Sequence, residues 1–394
     1  MDFQSINVFR KRPEPAAKAA SAEVERPIVG SRVELQLLTT LRCNLKCSYC
    51  SIAEGEVLGS QGNVSYTLDD LSRFIDTHLQ GYDVYVTFYG GEPTLNRPFM
   101  QQVMERYPLF RYQLQTNGTL LDDLPPQALK RLSNVLVSID GGEKITDGYR
   151  GKGIYRQVLK NVGLVREQLG GSLTARVTWS DASTSFEELD ALAGSFDYVY
   201  FQFVAGESYG PEAMDARRAV LRQLVQRFFE HRDSLYPLIP LMGVARNKLF
   251  PERAKELYAG QTQCRVSTHI LNIMPDGQIY PCPDMMHLPE MRQGDLLGNW
   301  LKRSPLQPHP DMPCDSCEAF SYCRRNCMKN LYLAYVKGQD DYRRKVTDPI
   351  CELIRFLGAE MDRYDLPGWY AALPLRAQQQ LRNAEVYEYV EIMP

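Results

Sequence analysis

Cys43, Cys47 and Cys50 stand in the run Thr40-Leu41-Arg42-Cys43-Asn44-Leu45-Lys46-Cys47-Ser48-Tyr49-Cys50, just past the apolar stretch Val33-Glu34-Leu35-Gln36-Leu37-Leu38. A tetrahedral metal takes four ligands and a four-iron four-sulfur cluster usually takes four thiolates, so a trio leaves one position open to a group that is not protein. A cluster with an open iron is a reagent, whereas a closed site is a staple. A zinc knuckle with His78 as its fourth ligand, or part of a disulfide framework, would use the same three residues. Seven more cysteines follow: Cys264 and Cys282 around Gly277, then Cys314, Cys317, Cys323 and Cys327, then Cys351. The four from 314 to 327 alone have the spacing of a zinc ribbon, which would leave Cys264, Cys282 and Cys351 without a role.

Such thiols need a reducing compartment and a scaffold. The N-terminus lacks an apolar stretch of signal-peptide length, and no run approaches the roughly 18 apolar residues of a membrane span. The chain therefore reads as cytoplasmic, where cysteines serve more readily as metal ligands or reactive thiols than as disulfides. Lys and Arg total 45 against 48 Asp and Glu, a net charge of −3, with no block of five like charges. Neither a nucleic acid nor a membrane surface is suggested as a partner. At 394 residues the chain exceeds the size at which one core keeps growing, so more than one domain is expected.

Residues 1–31 read as a flexible tail without periodicity. Strand patterns follow at Val33–Thr40, Val84–Tyr89, Arg111–Gln115, Val135–Ile139, Thr174–Trp179 and Tyr198–Val204. Helical patterns lie near 67–80, 97–106, 125–133, 154–168, 185–194 and 212–234, the first opening on Thr67 with Asp70 three residues on. Strand–helix alternation of this kind predicts an α/β fold with a parallel sheet covered by helices, its chemistry at the carboxyl ends of the strands. Periodicity does not distinguish an open sheet from a barrel. Beyond 240 the pattern becomes scattered Pro, Gly and Cys, as in a loop-rich segment held by metal, with a helix near 349–362. Residues 363–394 read as a C-terminal tail ending in a possible edge strand at Val386–Glu391.

The cysteine spacing after the first strand resembles the signature of the radical S-adenosylmethionine (SAM) enzymes. In that family the open iron is chelated by SAM, and one electron splits the sulfonium to give a 5′-deoxyadenosyl radical. The resemblance implies a partial (β/α)6 barrel over 32–239 and supplies readings for other strand ends. Gly90-Gly91-Glu92-Pro93 resembles the motif that cradles the SAM amino group, although Gly-Gly-Glu is also an ordinary turn. Ser138 and Asp140 close the fourth strand and are expected at the SAM site, and relatives place a Ser at this strand end and an Arg at the offset of Arg150 in contact with the SAM carboxylate and ribose. An Arg suits a carboxylate through its planar fork, but a solvated Arg in a Gly-rich loop reads the same way. Asn117, in Gln115-Thr116-Asn117-Gly118, would support the site floor or simply make an Asn-Gly turn. Tyr49 would lie against adenine, with Val204 a further adenine contact or a buried strand residue.

The seven later cysteines match the SPASM extension of that family, implied over 240–362. The resemblance implies three four-iron four-sulfur clusters: one binding SAM, one on Cys314, Cys317, Cys323 and Cys351, and one on Cys264, Cys282 and Cys327. Fully ligated relatives carry an eighth cysteine that this chain lacks, which leaves the third cluster an open iron or a non-cysteine ligand such as His269. Asp284 falls near the place of a catalytic base in sulfatase-maturing relatives, with Pro283 intervening where they have none; a Pro-Asp turn is the plain alternative. The implied function is a radical SAM/SPASM oxidoreductase acting on a peptide or protein, fed electrons by a flavodoxin or ferredoxin, that crosslinks a side chain of a ribosomally made peptide through a carbon–carbon or thioether bond. A formylglycine-forming dehydrogenase acting on a sulfatase-like protein is the alternative within the family, and a non-catalytic zinc-binding module the alternative outside it. With 32 residues before the first strand, a separate recognition domain of about 80 residues is not expected there.

Overall fold

Apolar and polar residues alternate along the first strand, β1 (Arg32–Thr40), and this alternation sets the architecture. Val33, Leu35 and Leu37 are buried in the main core, while Glu34 and Gln36 point to the opposite face. The computed structural model describes residues 32–50, 62–204, 209–257, 262–303, 309–325 and 327–383. After β1 come α1 (Leu68–His78), β2 (Asp83–Gly90), α2 (Arg97–Arg106), β3 (Arg111–Thr116), α3 (Pro126–Arg131) and β4 (Leu132–Ser138). Two helices, α4 (Glu143–Arg150) and α5 (Ile154–Val165), lead to β5 (Ser172–Trp179), α6 (Phe186–Ser195), β6 (Tyr198–Phe203) and α7 (Pro211–Glu230). Strands β1 to β6 pair in sequence order and all in parallel, which makes a (β/α)6 partial barrel. The sheet stays open: the backbone of Val199 in β6 is bridged by the 237–238 segment, with the Val199 amide donating to Pro237 O at 2.8 Å.

Helix starts follow the expected chemistry. Thr67 caps α1 with Asp70 completing the capping box, and Ser185 with Glu188 does the same for α6. The buried faces Leu71, Phe74 and Ile75 of α1 and Leu189, Leu192 and Ala193 of α6 cover the outer side of the sheet. The concave side is different. In register across the strands it carries Gln36, Thr87 and Gln113, then Gln115 and Leu136, then Ser138 and Arg176, then Thr178 and Gln202.

Beyond residue 240 the structure is more ordered than scattered Pro and Gly suggest. Helix α8 (Ile239–Leu249) is buried on all sides from Ile239 to Asn247, so it has no amphipathic stripe for a pattern search to find. It is followed by α9 (Pro251–Leu257). The short β7 (Ile270–Ile273) pairs in parallel with β1, and β8 (Gln278–Tyr280), β9 (Gly294–Asp295) and β10 (Trp300–Leu301) follow antiparallel. The result is one ten-stranded sheet with β1 in its interior. The helix expected near 349–362 is α10 (Asp348–Met361).

The segment read as a tail contains α11 (Leu366–Ala372) and α12 (Leu375–Asn383), both with residues in the main core. Trp369 packs on Phe228 and Phe229 of α7 with ring centroids 4.8 and 5.2 Å apart, and Tyr364 stacks on Phe229 at 4.3 Å. The edge strand expected at 386–391 and the tail at 1–31 lie outside the described residues. Among the described residues no helix is long and apolar enough to cross a membrane. Replacing a buried aromatic leaves a cavity, so Trp369→Ala is expected to lower the stability read by urea unfolding by about 3–5 kcal/mol, against less than about 0.5 for an exposed tail residue.

Candidate active site

The cysteine loop leaves β1 between two anchors. On one side the Thr40 hydroxyl donates to Gly62 O, and Arg42 reaches Asn63 Oδ1 at 2.9 Å. On the other, the Gly91 amide donates to Thr40 O and the Glu92 amide to Arg42 O, both at 2.9 Å. This approach is what demands the two glycines. A Cβ on Gly90 (φ +135°) would lie 2.2 Å from Thr40 O, and one on Gly91 would lie 2.3 Å from Arg42 O. The backbone that comes close to Gly90-Gly91 is therefore the root of the cysteine loop.

Glu92 and Pro93 continue the same seam. Glu92 is wholly buried, and its carboxylate accepts from Thr94 N, Thr94 Oγ1 and Thr116 Oγ1 through Oε1 and from Asn117 N at 2.7 Å through Oε2. Burial raises its pKa while these donors pull the other way. Pro93 O accepts from Thr39 Oγ1. The carboxylate thus binds the end of β2 to the end of β3 and aims Asn117, whose Nδ2 reaches Asn44 Oδ1 at 2.8 Å and Cys43 Sγ at 3.8 Å. The Leu45 amide donates to the same sulfur at 3.4 Å. Asn44 in turn donates to Thr119 Oγ1.

On the far side of the loop, Asp140 and Arg150 form a buried bidentate pair, Nε to Oδ2 at 2.7 Å and Nη2 to Oδ1 at 2.8 Å. Tyr49 donates its phenol to Asp140 Oδ2 at 2.6 Å, beneath the Arg150 guanidinium at 5.5 Å. Burial holds the Tyr49 phenol well above its ordinary pKa, so it stays a proton donor. Tyr149 of α4 stacks at a tilt on Tyr49, 5.6 Å between centroids, and its carbonyl accepts from the Ser48 amide. Ser138 ends β4 beside Arg176, and Val204 follows β6 with its carbonyl held by Tyr209 Oη at 2.7 Å.

Cys47 and Cys43 are near enough to each other and to Cys50 for their charges to interact. Burial pushes the Cys47 thiol up to about 11, partly offset by Arg150, and it also raises Cys43. Three clustered thiols with N–H groups aimed at one of the sulfurs fit an iron–sulfur cluster, whose thiolates are stabilised by such donors. Cys43, Cys47 and Cys50 are the residues that would hold it.

The C-terminal cysteines converge from separate segments. Cys314, Cys317, Cys323, Cys327 and Cys351 border one cavity of about 120 Å³, together with Arg325, Tyr335 and Arg355. Cys351 comes from α10 and the others from the turns before it. Burial pushes Cys314 up to about 11 and Cys351 up to about 12, each raised further by neighbouring cysteines. A shared cavity walled by thiols fits a cluster better than a surface zinc knuckle. Cys264 and Cys282 pack, with Cys314, on the second apolar cluster of Val266, Met285 and Met328. Cys327, grouped with them by resemblance, borders the shared cavity. Asp284 lies in the turn after Cys282, half-exposed, 3.9 Å from Lys329 Nζ. Among the described residues no three Cys, His, Asp or Glu side chains form a group tight enough for a single metal ion.

The family model of the Radical SAM superfamily matches residues 37–178, from the middle of β1 to the end of β5. Over that stretch, somewhat more than a third of its length, the chain is similar to the radical SAM superfamily. It is 24% identical over 340 residues to the cysteine-type anaerobic sulfatase-maturating enzyme of Clostridium novyi, covering 76% of this chain and 88% of that one. The solved structure of native anSMEcpe with bound AdoMet and Kp18Cys peptide superposes with a TM-score of 0.57 at 19% identity, covering 83% of this chain and 99% of that one. Streptococcus suis SuiB bound to precursor peptide SuiA gives 0.52 at 18% identity, covering 77% and 73%. At these identities the structures establish a shared fold.

Three site features escaped the sequence reading: the Asn44–Asn117–Thr119 network, the Thr178 amide, which donates to Asp140 Oδ1, and Arg176. The Arg176 guanidinium is held on the concave wall by Gln115 Oε1 at 3.1 Å and Gln202 Oε1 at 2.8 Å. A signal was present, because parallel strands covered on both faces are continuous apolar runs, whereas these alternate. Gly91→Ala is expected to displace Arg42 and Cys43 and to cut iron bound after anaerobic reconstitution. Gly148→Ala, whose Cβ meets nothing within 4 Å, is expected to leave it unchanged.

Proposed function

We propose that this enzyme removes two hydrogens from a side chain of a peptide or protein. The observation that carries the reading is the pair of thiol-rich centres, one at the mouth of the barrel and one in the cavity bordered by Cys314 and Cys351. When bound, SAM and the clusters supply a 5′-deoxyadenosyl radical and an acceptor for the second electron. The protein's own part is to hold, orient and exclude. Asn117 and the Gly90-Gly91 seam fix the cysteine loop, Arg150 and Tyr49 border the place of SAM, and Ser138 with the concave wall offers hydrogen bonds to a polar chain. Asp284, 3.9 Å from Lys329 Nζ, would take the proton released when the side chain is oxidised.

Among such oxidations, conversion of a Ser to an aldehyde, or of a Cys to a thioaldehyde that water then hydrolyses to the aldehyde with release of hydrogen sulfide, has the stronger support. The match to the sulfatase-maturating enzyme spans 88% of that protein, and the anSMEcpe fold is covered nearly end to end. Crosslinking of a ribosomally made peptide, the first expectation from the sequence, is the second reading. It is supported by the SuiB fold, 73% of which this chain covers. An electron donor of the flavodoxin or ferredoxin type belongs to the same proposal.

Incubated anaerobically with SAM, reductant and a peptide carrying a sulfatase-type Cys or Ser motif, the enzyme is expected to yield 5′-deoxyadenosine and an aldehyde trapped by a hydrazine reagent. A macrocycle lighter by two hydrogen atoms from a precursor peptide would establish the second reading, and a methylated product would overturn both. The Cys314→Ala/Cys351→Ala variant is expected to keep SAM cleavage while losing oxidised product, read by chromatography of both.

A further inference from the structure

Asp140 has no acceptor capacity left for a ligand. An ionised carboxylate offers about four lone-pair sites. Here Oδ2 accepts from Tyr49 Oη and Arg150 Nε, and Oδ1 accepts from Arg150 Nη2 and the Thr178 amide at 3.1 Å. The side chain is fully buried, and the four donors come from three different places: the cysteine loop, the last residue of α4, and the end of β5.

We propose that Asp140 is a positioning residue, which never touches SAM but clamps the cysteine loop to α4 so that the remaining Arg150 nitrogen and the Tyr49 ring stand ready for it. This rests on the reading of Arg150 and Tyr49 as SAM contacts. Asp140 takes two of the three guanidinium nitrogens and thereby fixes the plane of the fork and the direction of the third, Nη1. The same carboxylate oxygen that holds Arg150 Nε holds the Tyr49 phenol, so the cation and the ring move as one body. A second tie reinforces the clamp, since the Ser48 amide donates to Tyr149 O, one residue before Arg150. Order at the SAM pocket and order of the loop carrying Cys47 and Cys50 are therefore one property.

Non-additivity tests this directly. SAM affinity is measured by calorimetry on anaerobically reconstituted enzyme with Asp140→Asn, Arg150→Gln and both together, alongside iron content and the electron paramagnetic resonance signal of the reduced cluster with and without SAM. Each single variant is expected to weaken SAM about 10- to 100-fold, the range of a lost charge-assisted bond. The loss in the double variant is expected to fall well short of the product of the two single losses. Tyr49→Phe, which removes one hydrogen bond and leaves the buried ion pair, is expected to fold, to keep its iron, and to show a diminished SAM-induced change in the signal. Multiplied losses in the double variant would mean that Asp140 meets SAM itself and would overturn the proposal. So would unchanged SAM affinity of the iron-loaded fraction of Asp140→Asn, which would leave it a purely structural role. Failure of the parent enzyme to bind iron or SAM would instead defeat the underlying assignment of the site.

Discussion

The contact on which the active site depends is between backbones: Gly90 and Gly91 against Thr40 and Arg42. Two amide hydrogen bonds and the absence of two Cβ atoms let the exit of β2 lie directly on the exit of β1. From this seam the rest can be traced outward. Glu92, the next residue, is forced inward and must find donors for a buried carboxylate, and it finds them on Thr94, Thr116 and Asn117. Asn117 is thereby aimed at Cys43 and Asn44. The motif acts as a chain of constraints that begins with sterics and ends at a sulfur atom.

A second chain begins at the end of β4. Asp140 and Arg150 would each be costly to bury alone, and together they leave no unpaired charge. Their pairing brings α4 over the cysteine loop, where Tyr49 and Tyr149 close the contact. The loop is gripped from β2 and β3 on one side and from β4, α4 and β5 on the other. Thiols that repel one another once ionised need such a grip to remain together before a metal neutralises them.

The barrel was legible because its strands and helices are short, strongly patterned and capped. All six strand patterns fall on strands, and the Thr67–Asp70 box falls on a helix start. Helix α4 was not legible, since Glu143 to Arg150 holds a Gly and only a narrow apolar side. Nor was α8, apolar all round, nor β7, only four residues long. At the site, residue types at strand ends were readable, but their partners were not. Nothing in the order of residues says that Arg150 faces Asp140, or that Glu92 serves Asn117, because those pairings are made by the sheet register. Cys351 illustrates the same limit, meeting Cys314 only through the packing of α10.

The parallel pairing of β1 with β7 ties Glu34 to Ile270 and Gln36 to Asn272, placing the first described strand beside one that lies far along the chain. During synthesis the ribosome must deliver most of the polypeptide before that neighbour exists. Until then β1 has an exposed edge, one of its rows of amides and carbonyls unmatched, just upstream of three reactive thiols. The surroundings of the cysteine loop are thus completed only when the C-terminal half arrives, and a nascent chain ending before residue 270 would display an unpaired strand edge next to its three cysteines.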